Sequence, residues 1–193
     1  MSKRKGSLTM IVGCMSCGKS DELIRQLVRA RIARRRVKAF SPKHDTRSPS
    51  GHVASRNGNA FPAVLVAEPG DITGLFSREG PWDYVGIDEI QFFGSDILLA
   101  VDFMIDGGAH VMASGLDTVY DGTPFGQVPN LLAVADRVLK LDAVCVVCGA
   151  SATRSQIKVP VPENPPPGFF VGGDEKYEAR CRDCHIPNPT VPL

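Results

Sequence analysis

Short apolar runs alternate along this chain with stretches whose apolar positions recur at helical spacing. Residues 8–12 are apolar and stop at Gly13, the pattern of a buried strand. From Ser20 onward, Leu23, Ile24, Leu27, Val28 and Ile32 recur at helical spacing with arginines on the other face. Residues 37–40 read as a second strand, and the Ser-, Pro-, Gly- and Asn-rich stretch 41–59 reads as a loop. A third apolar run, Tyr84–Ile87, ends on Asp88-Glu89. Residues 97–105 predict a helix, 111–113 a fourth strand, 131–135 a helical piece and Arg137–Leu141 a fifth strand. Strands alternating with helices predict an α/β fold, a parallel sheet with helices on both faces.

After about residue 143 the texture changes. Two Cys pairs flank a stretch interrupted by Pro160, Pro162, Pro165, Pro166 and Pro167, which resists regular structure. The expected division is a nucleotide-binding α/β domain over 1–142 and a small metal-stapled module carrying a long loop over 143–193.

Composition narrows the function classes. With 193 residues, 43% hydrophobic and 22% charged, the chain is ordinary globular material for one full core. A net charge of +1 argues against bulk binding to nucleic acid or anionic membranes. Acidic residues near the Cys pairs (Asp142, Asp174, Glu175, Glu178, Asp183) weigh further against a nucleic-acid-binding zinc module. No run of about 18 apolar residues is present, so no transmembrane helix is expected. The charged N-terminus is followed by no signal-like apolar stretch. A cytoplasmic protein with reduced or metal-bound cysteines is the expectation.

Residues Gly13-Cys14-Met15-Ser16-Cys17-Gly18-Lys19-Ser20 fit the phosphate-loop pattern between a predicted strand and a predicted helix. Such a loop curls its backbone N–H groups around phosphate oxygens, and the helix N-terminus adds partial positive charge. Lys19 would reach the outer phosphates of ATP and Ser20 would ligate Mg2+. The strand ending in Asp88-Glu89 supplies what phosphoryl transfer also needs: Asp88 to hold Mg2+ and Glu89 to act as a base. The pairs Cys145/Cys148 and Cys181/Cys184 have the spacing of two zinc knuckles, four thiolates for a structural Zn2+. Cys14 and Cys17 form a third such pair inside the phosphate loop. They read either as small loop residues or as a redox gate whose disulfide would distort the loop.

The phosphate loop, the Asp88-Glu89-Ile90-Gln91-Phe92-Phe93 strand end, the Leu116-Asp117…Pro124-Phe125-Gly126 segment and the two knuckles, in that order, resemble the cellular-type thymidine kinases over roughly residues 6–185. The resemblance implies phosphorylation of the 5′-hydroxyl of thymidine, and of deoxyuridine, by ATP. It implies Glu89 as general base, with Lys19 and Arg47 on the transferring phosphoryl group. Asp45, Thr46, Arg47, Ile90 and Gln91 join the phosphate loop on the nucleotide side. Phe92, Leu116, Tyr120 and Phe125 would wall the base slot, with Ser155 near the base methyl. Gly168, Phe169, Phe170, Val171, Gly172 and Tyr177 would belong to a substrate-covering lid whose ends the zinc anchors. The expected partners are a small nucleoside, no nucleic acid and no membrane, within a homotetramer or homodimer. The alternative is a P-loop ATPase or switch that uses its zinc module to bind a partner.

Overall fold

The computed structural model describes residues 6–43, 51–162, 164 and 171–187. Its elements, in chain order, are β1 (Ser7–Gly13), α1 (Lys19–Ile32), β2 (Val37–Pro42), β3 (His52–Ala54), β4 (Ala60–Pro62), β5 (Val64–Val66), α2 (Pro69–Glu79), β6 (Tyr84–Ile87), α3 (Ile97–Asp106), β7 (His110–Leu116), α4 (Val128–Val134) and β8 (Arg137–Leu141). Four short strands follow: β9 (Ala143–Val144), β10 (Ser151–Ala152), β11 (Arg154–Ile157) and β12 (Tyr177–Arg180).

Six strands form one parallel sheet in the order β5-β2-β6-β7-β1-β8. Side chains on a strand alternate faces, and the core follows that alternation. Leu8, Met10 and Val12 of β1, Val85 and Ile87 of β6, and Val111 and Ala113 of β7 face a cluster with Ile72 and Phe76 of α2, Val101 and Met104 of α3, and Leu131 of α4. Ile11 and Met112, from the same strands, face the other side, where Leu23, Ile24 and Leu27 of α1 cover them with Val53 and Phe61. Burying each such leucine contributes about 1.5–3 kcal/mol. The α1 helix also suits its own dipole, with Asp21 and Glu22 in the first turn and Arg29 and Arg31 in the last.

The expected α/β architecture is present: a parallel sheet with helices on both faces. The stretch 41–59, expected to be all loop, departs from that reading. It contains β3, which pairs antiparallel with β4 from His52↔Pro62 to Ala54↔Ala60. Each strand contributes one buried apolar residue, Val53 or Phe61, and that hydrophobic pairing outweighs the loop-like composition around it. No helix among the described residues is long and apolar enough to cross a membrane.

Register places the site. Gly13 at the end of β1 pairs with Leu116 of β7 and Leu141 of β8, and Ile87 at the end of β6 pairs with Ala113. The phosphate loop, Asp88-Glu89 and the segment after Leu116 therefore leave the sheet at its carboxyl edge, where open α/β sheets bind ligands.

Candidate active site

The phosphate loop turns sharply, with φ of +149° at Gly13, +63° at Ser16 and +84° at Gly18. A Cβ at Gly13 would stand 2.2 Å from the Leu141 carbonyl oxygen, so both the dihedral and the close approach require glycine. Lys19 is 9% exposed, and its Nζ donates to the Cys14 carbonyl at 2.7 Å. Around this loop lies a cavity of about 810 Å3 lined by Met15, Ser16, Lys19, Ser20, Asp88, Glu89, the 54–60 hairpin turn, Gly173 and Glu175. Asn57 and Asn59 of that turn donate to the Asp21 carboxylate at 2.8 and 3.0 Å, which holds the hairpin against α1.

Ser20 Oγ lies 3.4 Å from each carboxylate oxygen of Asp88. Asp88 is buried, and burial first, then repulsion from Glu89, push its carboxyl up to about 7. The Ser114 hydroxyl on β7 donates to Asp88 Oδ1 and works in the other direction. A hydroxyl and a buried carboxylate meeting beside a phosphate loop form a donor set that fits a hard divalent cation.

Glu89 has φ +49°, a left-handed conformation that is strained for a residue with a Cβ. Gln91 stabilises it there. The Gln91 Nε2 donates to Glu89 Oε2, while its Oε1 accepts from the Leu116 N–H at 3.1 Å. Gln91 is 3% exposed and reaches Leu116 because Gly115 carries no side chain: a Cβ there would stand 2.4 Å from Gln91 Oε1. Ile90 is fully buried in the main core, and neither Ile90 nor Gln91 lines the cavity around the phosphate loop.

A second pocket is lined by Met15, Phe92, Leu116, Thr118, Val119, Tyr120, Phe125, Ser155, Gly172 and Tyr177. Phe92 and Phe125 meet edge to face at 5.9 Å. Met15 lines both pockets and is the wall between them. The structure thus brings Phe92, Leu116, Tyr120, Phe125, Ser155, Gly172 and Tyr177 together from four separate segments. Asp45, Thr46, Arg47, Gly168, Phe169 and Phe170 lie outside the described residues, and Val171 is described but does not line this pocket. Ser155 is 2% exposed and its hydroxyl accepts from the Met15 N–H at 2.9 Å, tying the C-terminal module to the phosphate loop. Sequence reading did not single out Ser114, Gly115 and Thr118. The Thr118 Oγ1 is buried with no hydrogen-bond partner among the described residues, in a slot walled mainly by apolar and aromatic side chains.

The four knuckle cysteines converge. The Sγ atoms of Cys145, Cys148, Cys181 and Cys184 all lie within 4.8 Å of one another, with Cys148 and Cys181 at 3.6 Å. Tetrahedral thiolate ligation, with Zn–S of about 2.3 Å, requires sulfurs at about that spacing, so this set fits a zinc ion. Cys145 is held down to about 6, first by a backbone N–H from Cys181, while Cys184 is pushed up to about 12, first by its hydrogen bond with Cys181. His185 stands outside the cluster, with its Nε2 2.7 Å from the Tyr120 carbonyl oxygen. The knuckles follow directly from β9 and β12, and β12 pairs antiparallel with β11 from Ile157↔Tyr177 to Arg154↔Arg180.

Cys14 and Cys17 are both free thiols. Cys14 is 1% exposed and its thiol donates to the Ala152 carbonyl at 3.2 Å. The close approach of the two sulfurs, with burial, pushes Cys14 well above the usual thiol range, while Cys14 beside it draws Cys17 down to about 7. The Lys19 ammonium, 3.8 Å from Cys17 Sγ, adds to that lowering. Brief iodoacetamide treatment of the zinc-loaded protein is therefore expected to label Cys17 before Cys14, with a rate midpoint near pH 7. Peptide mapping by mass spectrometry reads the order, and prior labelling of Cys14 would contradict it.

A family model described as thymidine kinase matches residues 6–185. A protein of Deinococcus deserti named thymidine kinase is 44% identical over 191 residues, an alignment covering 94% of this chain and 95% of the relative.

Proposed function

We propose, from the premise that the chain belongs to the thymidine kinase family, that it phosphorylates the 5′-hydroxyl of thymidine with ATP and that Glu89 is the base. The observation that carries the residue roles is the meeting of Glu89, Asp88, Ser20 and Lys19 in one cavity, beside a pocket walled by Phe92 and Phe125.

In this reading the phosphate loop and Lys19 hold the polyphosphate of ATP, Ser20 and Asp88 hold Mg2+, and the slot beyond Met15 takes the pyrimidine. Mg2+, when bound, neutralises charge on the outer phosphates. Glu89 takes the proton from the 5′-hydroxyl as its oxygen attacks the terminal phosphorus, and ADP leaves. Positioning supplies much of the rate, since the two pockets adjoin at Met15. Arg47 is kept as a second cation for the transferring group. The knuckles and lid act as one module over 143–193, with zinc a structural ion whose four ligands leave no open position. A homotetramer or homodimer in the cytoplasm completes the reading, and light scattering measures the assembly directly.

The test is a phosphotransfer assay with thymidine, deoxyuridine and deoxycytidine. Thymidine is expected to give the 5′-monophosphate, and ATP consumption is expected to depend on added nucleoside. ATP hydrolysis at an equal rate without nucleoside would replace this reading with an ATPase or switch.

A further inference from the structure

We infer that Arg56 exchanges partners when nucleotide binds, leaving Asp174 of the lid turn for the outer phosphates, so that nucleotide occupancy unlatches the turn leading into Tyr177. The inference rests on the phosphotransferase reading above.

Three loops distant in sequence meet at the mouth of the phosphate cavity. Arg56, just past β3, forms an ion pair with Asp174 at 2.5 Å and donates to the Ser16 hydroxyl. That hydroxyl in turn donates to Asp174 Oδ1 at 3.3 Å. Ser16 occupies the left-handed bend at the tip of the phosphate loop, so the guanidinium stands on the rim of the anion site. Among the described residues lining the cavity, only Lys19 and Arg56 are cationic, whereas Asp21, Asp88, Glu89 and Glu175 are acidic. Arg56 is thus the described cation, besides Lys19, that a polyphosphate entering this cavity meets.

The ion pair is a weak competitor. Its side chains are 45% and 67% exposed, and pairs that wet contribute little. Phosphate oxygens offer the guanidinium fork two parallel, charge-assisted bonds and more negative charge than one carboxylate. Exchange toward phosphate is therefore favourable. It also has a mechanical consequence. Asp174 sits in the turn where the Lys176 and Tyr177 N–H groups both donate to the Gly173 carbonyl, at 3.1 and 2.9 Å. Tyr177 opens β12 and lines the nucleoside pocket. One guanidinium thus connects the occupancy of one pocket to the mobility of the other's cover.

Calorimetric titration of the zinc-loaded full-length protein with an imido analogue of ATP and Mg2+ tests this. Arg56→Ala is expected to weaken the analogue at least about tenfold, from the loss of charged hydrogen bonds. Arg56→Gln, which removes only the charge and fork, should behave the same way. Asp174→Ala is expected to tighten the analogue relative to wild type, and the double variant to match Arg56→Ala alone. A simple strut between hairpin and lid predicts the opposite sign for Asp174→Ala. Weakening by Asp174→Ala, or wild-type binding by both Arg56 variants, would overturn the exchange. Failure of the wild-type protein itself to bind the analogue would instead remove the kinase reading on which it rests.

Discussion

Replacing Glu89 by glutamine is expected to lower kcat by about 10²–10⁴-fold, the usual contribution of a positioned general base, while leaving the affinity for an ATP analogue close to wild type. The substitution preserves shape and an oxygen for the Gln91 amide to bond, so the backbone at 89, already in a left-handed conformation, has no new reason to relax. What disappears is the ability to take a proton. The loss should therefore fall on the transfer step, visible in single-turnover experiments, with little change in nucleotide binding. Near-wild-type turnover in Glu89→Gln would remove Glu89 from its role and point to another group, such as the neighbouring Asp88, as the proton acceptor.

Cys181→Ser is expected to have the second largest effect, because it acts on three structures at once. Cys181 is 6% exposed and sits directly after β12. Structural zinc in small modules is worth about 10–16 kcal/mol of apparent binding energy, and that energy is also folding energy. Without it, the β11–β12 ladder that sets Tyr177 opposite Ile157 loses its anchor. The change then reaches the phosphate loop, since Ser155 takes the Met15 N–H and Ala152 takes the Cys14 thiol. Zinc content should fall and the KM for thymidine rise by about 10–100-fold, with a smaller loss of ATP affinity. Metal analysis and hydrogen exchange at β11 and β12 check the first link of this chain, and steady-state kinetics the last. Full zinc content with unchanged KM in this variant would contradict the structural role.

The sequence made some of this legible and hid the rest for physical reasons. β1 and β6 stand out as short, mostly apolar runs and α1 as a clear helical period, while β8 reads as a strand from Val138, Leu139 and Leu141 despite Lys140 among them. α2 does not, because Pro69, Gly70 and Gly74 lower its helix propensity. Its start is nevertheless encoded: proline suits the first turn, and the Asp71 carboxylate takes the Ala67 N–H at 2.9 Å. The hairpin β3–β4 and the strand β5 have three residues each, too short for a period to show. At the site, the phosphate loop and the knuckles announce themselves because their chemistry depends on spacing along the chain. Ser114 on Asp88 and Gly115 under Gln91 do not, because each reads as an ordinary residue of β7 until β6 is laid beside it. Ser155 lines the second pocket while its hydroxyl accepts from the Met15 N–H, a bond that no spacing along the chain announces.

The bridge from Glu89 through Gln91 to the Leu116 N–H bears on how such an enzyme drifts or is redesigned. The side chain that bonds Glu89, the proposed proton acceptor, is fastened to the strand end that walls the proposed nucleoside slot, and Gly115 leaves no slack between them. Remodelling that strand to admit a bulkier analogue would misalign the acceptor as well, so relaxed selectivity through this route would arrive together with slow chemistry. Tyr120 and Phe125 line the same slot from the segment beyond that bridge. They are the positions at which a lineage, or an engineer, can resize the pocket and keep the rate.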